Sequence, residues 1–176
     1  EVSVRLDRPE ELVDAARKLR MAQRLLAFVV RDALPAELGR EDALSWMQER
    51  ACREGGPALR RLLPLWRAFA LRQSDGADCP SVPDEQLAFH VRAQRGGSHP
   101  FSSDDAKRSV ALGLSAGSGL RGACRLEYQL SVDVRVHHES AWAGLVLFNT
   151  RHEDAAAAEP AAPPRELSVT TLNPTI

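Results

Sequence analysis

Residues 126–138, "LEYQLSVDVRVHH", alternate apolar and polar side chains almost without a break. Extended, this stretch puts Leu126, Tyr128, Leu130, Val132, Val134 and Val136 on one face and Glu127, Gln129, Ser131, Asp133 and Arg135 on the other. A helix would scatter the same six apolar residues around its circumference. The period of two therefore predicts a strand with one buried face. Such a strand needs neighbours, and several segments can supply them. Residues 87–94 ("LAFHVRAQ"), 108–114 ("RSVALGL") and 142–148 ("WAGLVLF") read as strands, as do 1–6 and 167–172 at the two ends of the chain.

The N-terminal half has the other period. Residues 7–34 read as a helix capped by Asp7, with Pro9 in its first turn and Glu10 and Glu11 at the positive end of its dipole. Leu12, Ala15, Leu19, Ala22, Leu26, Val29 and Ala33 form its apolar stripe, and Pro35 ends it. A second helix is expected over 41–54, with Leu44, Met47 and Ala51 on one face and Gly55 and Gly56 as its stop. A third is expected over 57–73, kinked or split by Pro64.

These segments imply an α+β fold, about three N-terminal helices packed with a mainly antiparallel sheet of five to six strands. The expected organisation is a mainly helical half with a short first strand (1–74), a linker (75–85), and an antiparallel β half (86–176) with a mobile Ala/Pro loop at 153–165. Pairing of residues 1–6 with the sheet would make this one single domain.

Composition excludes some function classes. No apolar run approaches the ~20 residues needed to span a bilayer, so membrane insertion is not expected. The formal net charge of −1 gives no overall attraction to nucleic acid, which is not an expected partner. Three cysteines without a CxxC pair make neither a disulfide framework nor a zinc site. An intracellular, cytoplasmic setting is expected on that ground, with secretion left open because a cleaved signal peptide leaves no trace. Basic residues are nearly all arginine, and Ile176 is the only isoleucine. Together these point to coding bias rather than to a function that selects arginine.

Two glycine motifs overlap between 113 and 122. Gly113-Leu114-Ser115-Ala116-Gly117 matches GxSxG, and Gly117-Ser118-Gly119-Leu120-Arg121-Gly122 matches GxGxxG. A hydrolase elbow and a dinucleotide site both need a helix after the glycines, yet the following residues read as a strand. The expected structure is a glycine-rich hairpin loop. The catalytic candidates are then Ser115 and His152, because Asp133 and His137 lie about 13 Å apart along one strand face. His137, Glu139 and His152 have the residue types of a two-histidine, one-carboxylate metal site, though strand-end and turn positions explain them as well. No cofactor is expected. Arg17, Arg20, Arg24 and Arg31 recur on the polar side of the first helix and are the candidate partner-binding residues.

With every catalytic constellation out of context, the expected function is a non-enzymatic protein-interaction module. It would be an adaptor or scaffold, a subunit or segment of a larger assembly that holds a protein partner or a second copy of itself. The alternative is a small-ligand-binding protein or hydrolase that uses the Gly113–Gly122 loop with His137, His138 or His152, and a third reading is nucleic-acid binding through the arginine face.

Overall fold

From Leu130 onward the alternating stretch becomes a central strand, whereas Tyr128, expected on its buried face, stacks on His90 on the other side. In β4 (Leu130–His137), Leu130, Val132, Val134 and Val136 are each at most 3% exposed, while Arg135 and His137 face solvent. The computed structural model describes residues 24–35, 37–73, 82–123 and 128–149. Within them, β1 (Arg24–Ala33), β2 (Ala88–Gly96), β3 (Arg121–Gly122), β4 and β5 (Ser140–Asn149) form one sheet in the order β1-β5-β4-β2-β3. β5 runs antiparallel to its neighbours β1 and β4, whereas β2 runs parallel to both β4 and β3. The sheet is mixed, which corrects the expected antiparallel meander.

Two misread segments account for the correction. The first lies at 24–33, inside the expected helix 7–34. Leu25 to Val30 are six consecutive apolar residues, and such a run has no period of its own. Pairing with β5 decides it, from Arg24↔Asn149 to Ala33↔Ser140. The second is 103–118. "RSVALGL" was expected to be a strand because Val110, Leu112 and Leu114 alternate, but these residues belong to α3 (Ser103–Ser118). Leu112 is 61% exposed, whereas Ala106, Ser109, Val110, Gly113 and Leu114 are buried at helical spacing. A capping box starts this helix: the Asp105 amide donates to Ser102 Oγ (3.1 Å) and the Ser102 amide to Asp105 Oδ2 (3.0 Å). A helix between β2 and β4 supplies the long crossover that parallel pairing requires.

The other helices form one continuous run: α1 (Arg40–Arg50), a π turn (Ala51–Gly55) and α2 (Gly56–Gln73). Gly55 and Gly56 do not stop the helix, and Pro64 lies inside α2 without ending it. Ala43, Met47, Ala51, Gly55, Leu59 and Leu63 are all buried, each four residues after the last. A strict α-helix would rotate such a row by about 40° at every step. The π turn absorbs one extra residue and so keeps more of the row against its neighbours.

That neighbour is α3. A Cβ on Gly113 would lie 2.2 Å from the Gln48 carbonyl oxygen, and one on Gly117 2.0 Å from that of Cys52. A Cβ on Gly56 would in turn meet the Gly117 backbone at 2.3 Å. The glycines thus make a seam where two helix backbones touch. Below it, α3 packs on β2 and β4, and α2 packs on β5 and β1. Leu59, Leu63, Leu114, Leu130, Val132 and Leu145, each at most 1% exposed, fill the layer between helices and sheet.

Candidate nucleic-acid interface

The helices lie on the side of the sheet that carries Val30, Val134 and Ala143, which border one small void with Met47 and Val110. The opposite side of the strands bears different chemistry. In β4, Arg135 pairs in register with Trp142 of β5, and Trp142 with Arg31 of β1. Phe28 pairs with Gly144, two residues along β5 and so on the same side as Trp142. Phe28 and Arg31 are three apart and would ordinarily point to opposite faces. The register shift between Phe28 and Val30 inserts one residue, Val29, which is buried, and brings both onto the open side.

The result is a row across three strands. The Arg31 guanidinium lies 5.6 Å from the Phe28 ring centroid, Phe28 meets Trp142 edge-to-face at 5.3 Å, and the Arg135 guanidinium lies 5.7 Å from the Trp142 centroid. Arg31 and Arg135 are exposed, Phe28 is 37% exposed and Trp142 is half-buried. Further along, exposed Arg92 contacts the Tyr128 hydroxyl (3.4 Å), and Tyr128 stacks on the buried His90 at 5.0 Å. Arginine over an aromatic ring gains cation–π attraction and keeps its N–H groups available to oxygen acceptors.

A second concavity lies beyond the carboxyl ends of β1, β2 and β4. It is a cleft of about 200 Å³ lined by Leu34, Leu38, His99, Phe101, His138 and Glu139, among others. Its floor is held firmly. His99 stacks on Phe101 at 5.2 Å, and its Nε2 lies 3.1 Å from the Gly96 carbonyl, so that nitrogen carries the proton and donates. His138 has φ 51° in the two-residue turn between β4 and β5, beside Gly97 at φ +90°. The rim is acidic. Asp104 and Asp105 begin α3, and Glu41 and Asp42 begin α1. The Ser102 amide, the Ser102 hydroxyl and Arg40 (3.1 Å) together lower the Asp105 carboxyl to a pKa of about 2. Each of these two helices thus carries two carboxylates in its first turn, where the helix dipole favours them.

Of the residues singled out from sequence, Ser115, His137, Glu139, Arg24 and Arg31 are among the described ones. Ser115 lies on α3, its hydroxyl donating to the Leu120 carbonyl at 2.8 Å. Both glycine motifs correct to a helix and its left-handed cap at Gly119 (φ +69°), not to a hairpin loop. They sit at the C-terminal end of α3, where carbonyls point outward and Arg60 donates to Ser118, which is the wrong pole for a pyrophosphate. His137 is exposed and lies edge-on to His138 at 4.3 Å, and Glu139 is exposed in the turn. Among the described residues no three His, Cys, Asp or Glu side chains gather to hold a metal ion. His152, Arg17 and Arg20 lie outside the described residues. Arg24 begins β1, and Arg31 stands on a strand instead of the expected helix. Phe28, Arg135 and Trp142 were missed as a group. Counting outward from a two-residue turn at His138 and Glu139 places Arg135 opposite Trp142, so that part was available from the sequence.

No family model matches the chain, and no curated protein matches it. A solved structure does: TrmN from Thermus thermophilus, 26% identical, with a TM-score of 0.54. The likeness covers 88% of this chain and 38% of that one, so the chain spans well under half the length of the protein it resembles. TrmN is a tRNA methyltransferase. A fold shared with part of an RNA-modifying enzyme overturns the expectation of a non-enzymatic interaction module, adaptor or scaffold. No helix among the described residues is long and apolar enough to cross a membrane.

Proposed function

We propose that this chain is the substrate-holding part of an RNA-modifying methyltransferase, with tRNA as its RNA. The observation that carries this reading is the likeness to TrmN over 88% of the chain. The arginine and aromatic side chains on the open side of the sheet support it. Phosphates demand cations and bases demand flat surfaces, and both are present there although the whole chain carries a net charge of only −1. The reading assigns this chain the holding of RNA and gives none of its residues a role in methyl transfer. It places the protein in the cytoplasm with its RNA.

The test is fluorescence anisotropy with labelled tRNA at salt concentrations from about 50 to about 200 mM. With two or three arginines on phosphates, log affinity is expected to fall against log salt with a slope of about −2. Absence of binding at the lowest salt, or heparin displacing tRNA at equal charge, overturns the reading.

A further inference from the structure

We infer that the Arg31–Phe28–Trp142–Arg135 row is a stacking platform for an unpaired stretch of RNA. This rests on the RNA-holding role and names the surface and the form of RNA that it takes. Three observations on the row converge. The first is the bulge at Val29, which turns Phe28 and Arg31 to the same side. Without it, one of the two would be packed under the helices. The second is the exposure of a large aromatic surface. Phe28 is one of only two exposed large hydrophobics among the described residues, and it leans on Trp142 instead of on the core. The third is charge. An arginine brackets each end of the aromatic pair, and the Arg31 and Arg135 guanidinium groups pack on its rings.

The geometry favours unpaired bases over a duplex. The row crosses three adjacent strands, about 10 Å from β1 to β4, enough for two or three bases at ~3.4 Å. A sheet face does not enter the deep, narrow major groove of an RNA helix, and paired bases offer no free π surface. Splayed bases can lie on Phe28 and Trp142 while Arg31 and Arg135 reach the phosphates on either side.

The test compares a ten-nucleotide single-stranded RNA with a blunt RNA duplex, again by anisotropy. Trp142→Ala is expected to weaken single-strand binding about tenfold and to leave duplex binding and the salt slope unchanged. Arg135→Gln, at an exposed position that does not threaten folding, is expected to weaken binding less and to lower the salt slope by about 0.7. Trp142→Phe should restore most of the affinity. Equal losses on single strand and duplex, or no loss in either variant while wild type binds tRNA normally, overturn the platform and leave the RNA-holding role standing. If wild type binds no RNA, both fall. A wild-type dimer in sedimentation that Trp142→Ala converts to monomer, with RNA affinity unchanged, overturns the platform in favour of a self-interface.

Discussion

The two sides of the sheet are made from the same strands, residue by residue in alternation, yet they obey different rules. On the helix side, β4 contributes Leu130, Val132, Val134 and Val136, and the covering layer closes on them until two helix backbones touch through Gly113, Gly117 and Gly56. On the opposite side the same strand contributes exposed Arg135 and His137 together with buried Asp133, and β5 contributes Trp142. One side is specified by volume, where an added methyl group has nowhere to go. The other carries polar chemistry, with Phe28, Arg31 and Arg135 exposed and Trp142 partly so, beside buried Asp133 and His90. Stability and the proposed RNA contact should therefore respond to different substitutions.

The sharpest way to break that separation is at the glycine seam. Gly117→Val places side-chain atoms on the Cys52 carbonyl, and the expected loss is about 3 kcal/mol, the upper end for overpacking. Urea unfolding measures it, and a variant as stable as wild type would mean that the helices do not meet there. A smaller effect is expected at the start of α3. Ser102→Ala removes the cap acceptor for the Asp105 amide and should cost about 1 kcal/mol. Its acid dependence has a definite sign. The Asp105 carboxyl titrates at about 2 in the folded chain, below its unfolded value of ~3.9. Its contribution is present in full above the unfolded value and fades as pH falls through about 2. Asp105→Asn should flatten the acid limb of the stability curve between roughly pH 4 and 2, and an unchanged limb would remove the cap from the account. The smallest effect belongs to the open side: Arg135→Gln should leave stability within about 0.5 kcal/mol of wild type. A larger fall in its thermal midpoint would make this face structural and dissolve the comparison.

Much of this contrast was legible in the sequence where a period was unambiguous. The alternation from Leu130 to Val136 gave the buried face of β4, and the helical spacing of Leu59, Leu62, Leu63, Trp66, Phe69 and Ala70 gave a helix. Reading failed where short-range pattern underdetermines structure. Leu25 to Val30 are apolar at every position, and only pairing with β5 decides between helix and strand. Residues 108–114 fit both periods, and the deciding signal was local and overlooked: Ser102 three residues before Asp105 marks a helix start. That one omission hid the crossover, made the sheet look antiparallel and turned a helix seam into a hairpin loop. The open-face row was hidden for another reason. It depends on a bulge, and no rule of alternation anticipates an inserted residue.

The π turn at Ala51–Gly55 leaves a mark on what length changes the chain can accept. A turn closed by one residue more than an α turn is, in alignment terms, a stored insertion. A homologue lacking one residue between 51 and 55 can close the helix to the ordinary pitch and still present Leu59, Leu63, Trp66 and Phe69 to the sheet. The same gap placed between 57 and 63 would swing the residues after it by about 100° and carry Trp66 and Phe69 out of the core. Single-residue gaps among relatives of this chain should therefore collect at one turn of the rod, opposite the glycines of α3, and avoid the turns that follow.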